Sequence, residues 1–271
     1  MAEANEAQRR HWNSDVRLTR WRSREPMTTT VVATLTGHAG VEAGQRVLDV
    51  GCGGGRTTIA VAIRTGPDGA VTGADISAPM LDLARRRAAA EGLGNTHFVQ
   101  ADVQTATLDG APFDAAISQF GVMFFEETMT AFANIRAHLR PGGRLTFACW
   151  QAEERNPWYT GGMLQPFCPP VPAPAPGKNA VGPFTLADPD YTTGVLAAAG
   201  WSAIEWTPAE HTATVDRDAL LDSEDYLRYL QVPEDQVPQA RAACERQLAP
   251  LERGDGRYDA PLAFQIFTAR A

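Results

Sequence analysis

Hydrophobic and polar residues follow two periods along this chain, and the switches between them outline its elements. Over the first forty residues Trp12, Val16 and Trp21, then Val31, Val32 and Leu35, recur among polar neighbours before Gly37. That helical spacing predicts amphipathic helices forming a cap over the rest of the domain. Short apolar runs then alternate with helical stretches, the order that builds a parallel sheet with helices on both faces. The runs predict strands near 46–50, 70–75, 96–100, 113–118 and 144–150. Ser77 is placed to N-cap a helix with Pro79 in its first turn and an apolar stripe of Met80, Leu81, Leu83 and Ala84, ending near Gly92. Glu126 and Glu127 open another that buries Phe132, Ile135 and Leu139. Arg136, His138 and Arg140 complement its dipole, and Pro141-Gly142-Gly143 stops it.

Beyond Trp150 the pattern changes. Pro166 to Pro176, PFCPPVPAPAP, predicts a stiff, extended connection, either on the surface or at the mouth of a site. Asp188-Pro189 starts a helix ending at Gly200, and strands near 203–214 and 261–269 complete the sheet. Between them, 216–252 reads as an inserted helical pair, with Tyr226, Leu227, Tyr229 and Leu230 on a short amphipathic stretch. The expected organisation is one domain over 1–271, with a helical cap at 1–40, a cofactor-binding core at 41–150 and an acceptor-side half at 151–271. The insertion would serve that half as a lid.

One apolar run carries chemistry. Val47 to Gly55, VLDVGCGGG, is a strand ending in closely spaced glycines, where a backbone must approach a ligand and a side chain would obstruct it. An acidic residue, Asp75 in GADIS, ends the next strand. A dinucleotide fingerprint, G-x-G-x-x-G, needs a third glycine where this chain has Arg56. What stands here is D-x-G-x-G-x-G: Asp49, Gly51, Gly53 and Gly55. Gln100-Ala101-Asp102-Val103 closes the third strand, and Leu139-Arg140-Pro141-Gly142-Gly143 precedes the fifth.

In that order these pieces resemble the class I S-adenosylmethionine-dependent methyltransferases, densely from Gln45 to Trp150. Within that family the chain resembles the ubiquinone/menaquinone-type and secondary-metabolite branch. The resemblance implies a Rossmann-like α/β fold with a mostly parallel seven-stranded sheet, and S-adenosylmethionine as cofactor. Gly51, Cys52 and Gly53 would lie along its methionine part, and Asp49 would orient the loop or meet its ammonium indirectly. Asp75 would accept from both ribose hydroxyls, since a carboxylate has two acceptor oxygens. Ile76 and Met80 would contact the adenine faces, Asp102 would accept from the adenine amino group with Val103 beside the ring, and Ser118 and Phe120 would close the methionine side.

Composition narrows the acceptor. The formal net charge is −8 and Lys178 is the sole lysine, so no basic tract exists to neutralise a polynucleotide, and a small molecule is expected. Trp12, Trp21, Met123, Phe124, Trp150 and Trp158 fall in segments expected at the cofactor mouth and suggest an apolar or aromatic acceptor, methylated on oxygen or carbon. A base is needed only where the acceptor must lose a proton; His11, Glu126 and Glu153 are the candidates, and the chain does not single one out. The scattered Cys52, Cys149, Cys168 and Cys244 read as free thiols without a metal site, and no run approaches a membrane span. A cytoplasmic monomer or homodimer is expected. The competing readings are a carboxylate O-methyltransferase acting on a peptide or protein, a non-catalytic cofactor-binding scaffold and an NAD-dependent oxidoreductase.

Overall fold

The computed structural model describes residues 5–170 and 181–271. The N-terminal segment folds as α1 (Glu6–Trp12), α2 (Asp15–Arg24), a 3₁₀ turn at Glu25–Thr28 and α3 (Thr29–Ala39). The core alternates β1 (Arg46–Val50), α4 (Arg56–Thr65), β2 (Ala70–Asp75), α5 (Ala78–Ala90), β3 (Thr96–Gln100), β4 (Phe113–Gln119), α6 (Thr128–Ala137) and β5 (Leu139–Trp150). There follow α7 (Gly161–Leu164), α8 (Pro189–Ala198), β6 (Ser202–Asp216), α9 (Arg217–Leu220), α10 (Glu224–Tyr229), α11 (Val237–Leu248) and β7 (Arg257–Arg270).

Among the described residues seven strands form one sheet in the order β3-β2-β1-β4-β5-β7-β6. All neighbours from β3 to β5 pair in parallel, and β7 runs antiparallel to β5 and β6. The chain winds outward from β1 to β3, then returns to β4 on the other side of β1. The carboxyl ends of β1 and β4 therefore flank a switch point, where an open α/β sheet leaves a crevice for a ligand. Beneath it β1, β4 and the second half of β5 are almost wholly buried, with Leu48, Ile117, Phe147 and Phe132 of α6 in the centre of the core. Strands shielded on both faces need continuous apolar runs, which is why their limits were legible as such.

Several local expectations need correcting. Ser77 occupies the N-cap of α5, but its hydroxyl donates to the Trp12 carbonyl at 2.8 Å and caps nothing; the Asp75 carboxylate accepts its backbone N–H instead. α6 stops at Ala137, ahead of Pro141-Gly142-Gly143, which belong to β5. His138 adds no charge to the helix end: its Nδ1 lies 2.8 Å from the Asn134 carbonyl and its Nε2 accepts the Leu108 N–H, a pattern only the neutral ring can satisfy. The insertion is three helices with 3₁₀ turns, not a pair, because Ser223 starts a new capped helix and Pro233 interrupts the next. Of the proline-rich stretch, Pro166 lies in a 3₁₀ turn and 171–176 fall outside the described residues.

Candidate cofactor and acceptor site

Above the switch point lies a cavity of about 280 Å³, bounded by the ends of β1, β2, β4 and β5 and roofed by α1 and α2. The glycine loop forms one wall. Gly51 has φ +66°, and a Cβ there would lie 2.8 Å from Gly121 Cα, so the β1 and β4 loops touch backbone to backbone. Over the loop lies Trp21, whose ring would collide with any side chain at Gly54.

Asp75 lines the cavity with each oxygen already holding one backbone donor: Gly53 N–H on Oδ2 and Ser77 N–H on Oδ1, both at 2.8 Å. Burial raises its pKa against the opposing pull of these donors. Each oxygen keeps a second lone pair, so the carboxylate is fixed in orientation and still able to accept two hydroxyls. Asp102 also lines the cavity, clamped by the Asn5 amide at 2.9 and 3.0 Å and by the Gln104 N–H. Asn5 is 2% exposed, and its own oxygen accepts the Glu126 N–H, so the start of the described chain ties the β3 and β4 loops together.

Opposite the glycine loop, aromatic rings make a floor. Phe120, at φ +62°, stacks on Trp150 with centroids 3.9 Å apart, and Trp150 meets Trp158 at 5.0 Å. A non-glycine residue held at positive φ is strained, and here the stack keeps it in place. Trp12 and Phe124 close the edge, their rings 5.2 Å apart.

The cavity gathers Gly51, Cys52, Gly53, Asp75, Ile76, Met80, Asp102, Val103 and Phe120, together with Trp12, Trp21, Met123, Phe124, Trp150 and Trp158. Trp150, Trp158 and Met123 are at the same time nearly buried parts of the core. Five candidates do not line the cavity. Asp49 is fully buried under the loop, accepting the Thr58 hydroxyl at 2.6 Å, its other oxygen without a partner; burial, then the charge of Asp75, pushes its pKa up to about 7. Ser118 donates to the Val50 carbonyl and supports the loop from below. His11 bonds Tyr229 Oη through Nδ1 at 2.9 Å, and burial with the Arg17 and Arg20 charges lowers its pKa to about 3. Glu126 meets the site's frame through its backbone N–H, and Glu153 sits in a 3₁₀ turn beyond β5, its pKa raised by burial and by Glu154. None of these three lines the cavity.

Sequence reasoning missed Asn5, Arg17, Arg20, Arg24, Glu25, Thr57 and Tyr159, all of which do. The arginines had a signal: positions 17, 20 and 24 share one face of an amphipathic helix in an acidic chain. Arg56, at the position of the missing third glycine, reaches Glu25 at 2.8 Å. A side chain therefore occupies the point where a dinucleotide fold packs its helix against the loop.

Residues 47–143 match the family described as a methyltransferase domain. The aklanonic acid methyltransferase DauC of Streptomyces sp. is 33% identical over 127 residues, 47% of this chain and 54% of DauC. The ubiquinone/menaquinone biosynthesis C-methyltransferase UbiE of Marinomonas sp. is 36% identical over 109 residues, 40% of this chain and 43% of UbiE. The chain thus spans about half the length of these curated relatives. The crystal structure of YcgJ from Bacillus subtilis shares the fold, with a TM-score of 0.60 at 14% identity over 89% of this chain and 97% of YcgJ. Sheet order, glycine loop and these matches agree: residues 47–143 form a methyltransferase domain, set in a Rossmann-like methyltransferase fold.

Proposed function

We propose that the protein transfers a methyl group from S-adenosylmethionine to a flat, apolar or aromatic small molecule. One observation carries this reading. The cavity that holds the glycine loop and Asp75 continues onto the Phe120–Trp150–Trp158 floor, so cofactor and acceptor would meet in one cavity. The residues fit the cofactor: Asp75 presents two oriented acceptors for a ribose, Asp102 keeps acceptor capacity beyond Asn5 and Gln104, and Met80 and Ile76 offer apolar contacts beside them. When bound, S-adenosylmethionine supplies an already activated methyl group. What remains for the protein is to position the acceptor, exclude water and orient its nucleophilic atom. The aromatic floor and the α1–α2 roof serve the first two tasks.

The cavity's carboxylates are poorly suited to act as a base. Asp75 holds two backbone donors, Asp102 holds Asn5, and Glu25 is bound by Arg56 and by both terminal nitrogens of Arg87. This favours an acceptor that arrives without a proton to lose. DauC is a methyltransferase of an acid and UbiE a C-methyltransferase; an oxygen acceptor fits the occupied carboxylates directly, and a carbon acceptor stays within the proposal if its proton leaves to solvent or to the acceptor itself. A role in secondary metabolism or on a quinone-like compound is part of it, as is a cytoplasmic location; no described helix is long and apolar enough to cross a membrane. The oxidoreductase reading is not favoured, given Arg56 and the family.

Two measurements test the proposal. In a thermal-shift series S-adenosylmethionine and S-adenosylhomocysteine should stabilise the protein by mass action, and NAD should not. Incubation with isotopically methyl-labelled cofactor and host extract should then label a small molecule. Stabilisation by NAD alone would overturn the family chemistry, and cofactor binding with no labelled product would leave a non-catalytic scaffold.

A further inference from the structure

We propose that Arg17, Arg20 and Arg24 form a binding site for a carboxylate carried by the acceptor, which makes the acceptor class a flat aromatic acid. This rests on the small-molecule methyltransferase reading and deepens it.

The three side chains project from one face of α2 and line the cavity. Arg20 and Arg24 share a single carboxylate, that of Asp222, at 2.5 and 3.1 Å; Asp222 is 2% exposed and also accepts the Thr160 hydroxyl. Arg17, 9% exposed, has no carboxylate partner among the described residues. Its Nη1 donates to Tyr226 Oη at 3.0 Å, its guanidinium lies 4.5 Å from the Trp12 ring centroid, and its Nε is buried with nothing to bond. The adjacent Glu25 cannot supply the missing charge, because Arg56 and Arg87 already hold it.

One buried and two largely buried cations thus share one anion, an arrangement that is unfavourable unless a ligand supplies the counter-charge. The surplus is felt by the neighbours. Burial and then the Arg20 charge lower Arg24 to about 10, and the Arg17 and Arg20 charges add to burial in holding His11 neutral. A guanidinium presents parallel N–H donors that match both oxygens of a carboxylate, a fit that a phenolate or enolate with one oxygen cannot use. The apolar body attached to that carboxylate would rest on the Phe120–Trp150–Trp158 floor of the same cavity.

The cofactor's own carboxylate is the other source of this chemistry. The orientation of α2 favours the acceptor: Trp21 is the residue that faces the glycine loop, whereas Arg20 and Arg24 turn toward Asp222, between α9 and α10, and Arg17 toward Tyr226 of α10.

The test is tryptophan-fluorescence titration of the full chain with 2-naphthoate and anthracene-2-carboxylate, each against its methyl ester, with and without saturating S-adenosylhomocysteine. The acids should bind at least tenfold more tightly than the esters. Arg17→Gln should weaken the acids about tenfold to a hundredfold and leave the esters unchanged. Arg17→Lys should recover part of the preference. S-adenosylhomocysteine affinity should change by less than about twofold in both variants. Equal binding of acid and ester by the wild type overturns the proposal, and that comparison needs no variant to fold. A tenfold loss of S-adenosylhomocysteine affinity in Arg17→Gln overturns it as well, by assigning the cluster to the cofactor. A preference for acids with no binding of S-adenosylhomocysteine would leave the anion site standing and sink the methyltransferase reading instead.

Discussion

Replacing Asp49 by asparagine should stabilise the ligand-free protein at pH 8 and not at pH 5. The carboxyl is fully buried, accepts one hydrogen bond from Thr58 and leaves Oδ1 without a partner; burial, reinforced by the charge of Asp75, carries its pKa from 3.8 to about 7. In the unfolded chain it ionises near its ordinary value. Between those two values the folded state binds a proton that the unfolded state has released, so stability falls as pH rises from about 4 to 7 and is flat above. The full penalty is of order 4 kcal/mol, and roughly 2–3 kcal/mol of it develops between pH 5 and 8. Asparagine can still accept from Thr58 but buries an amide N–H₂ where Oδ1 now lies, a cost of about 1–3 kcal/mol that does not vary with pH. The decisive quantity is therefore the difference between two differences: urea unfolding of wild type and Asp49→Asn at pH 5 and at pH 8. The variant's relative stability should rise by about 2–3 kcal/mol across that interval. A change below about 0.5 kcal/mol would show that Asp49 is ionised without penalty and that the reasoning from burial is wrong. A bound cation is the ordinary reason to keep such a group. The stabilisation of wild type by S-adenosylhomocysteine, whose amino group is cationic, should accordingly grow with pH, and that of Asp49→Asn should not.

Asp75→Ala should weaken S-adenosylhomocysteine by about tenfold to a hundredfold in calorimetry, because the lost bonds are made to a charged group. It should also lower the melting temperature by releasing the Gly53 and Ser77 N–H groups; unchanged affinity would reduce Asp75 to a loop brace. Gly51→Ala places a methyl 2.8 Å from Gly121 Cα at φ +66°, and should cost about 2–4 kcal/mol in denaturant unfolding; a neutral result would mean the two loops can separate freely. Asn5→Ala removes two bonds to Asp102 and one to Glu126 and should speed amide exchange across α1 and α2; exchange at the wild-type rate would show that Asn5 does not anchor the roof. If α1–α2 and the 216–252 insertion act as a movable cover, cofactor plus a product analogue should protect both segments, and equal protection in the two states would leave only rigid packing.

The order of elements and the loop chemistry were legible in the chain by itself. Strands buried on both faces need apolar runs, which marked β1 and β4; β2 and the exposed edge strand β3 were bounded instead by the helices and turns around them, and all four were expected within a residue of their observed limits. The glycines announced a close backbone approach, and Gly51 against Gly121 is that contact. Asp75 was legible because it ends a strand beside that loop.

Tertiary structure alone decided which polar groups share the cavity. Asn5 and Asp102 are 97 positions apart, Arg17 and Tyr226 are 209 apart, and no local period couples either pair. His138 shows the same limit on a smaller scale. Its place at a helix end suggests a cation, but the Leu108 N–H arriving from 30 residues away requires the neutral ring. Periodicity records which face of an element is buried, and it carries no term for what that face meets. The counter-charge of an arginine, the protonation of Asp49 and the line between cavity wall and core depend on distances that exist only after the chain has closed on itself.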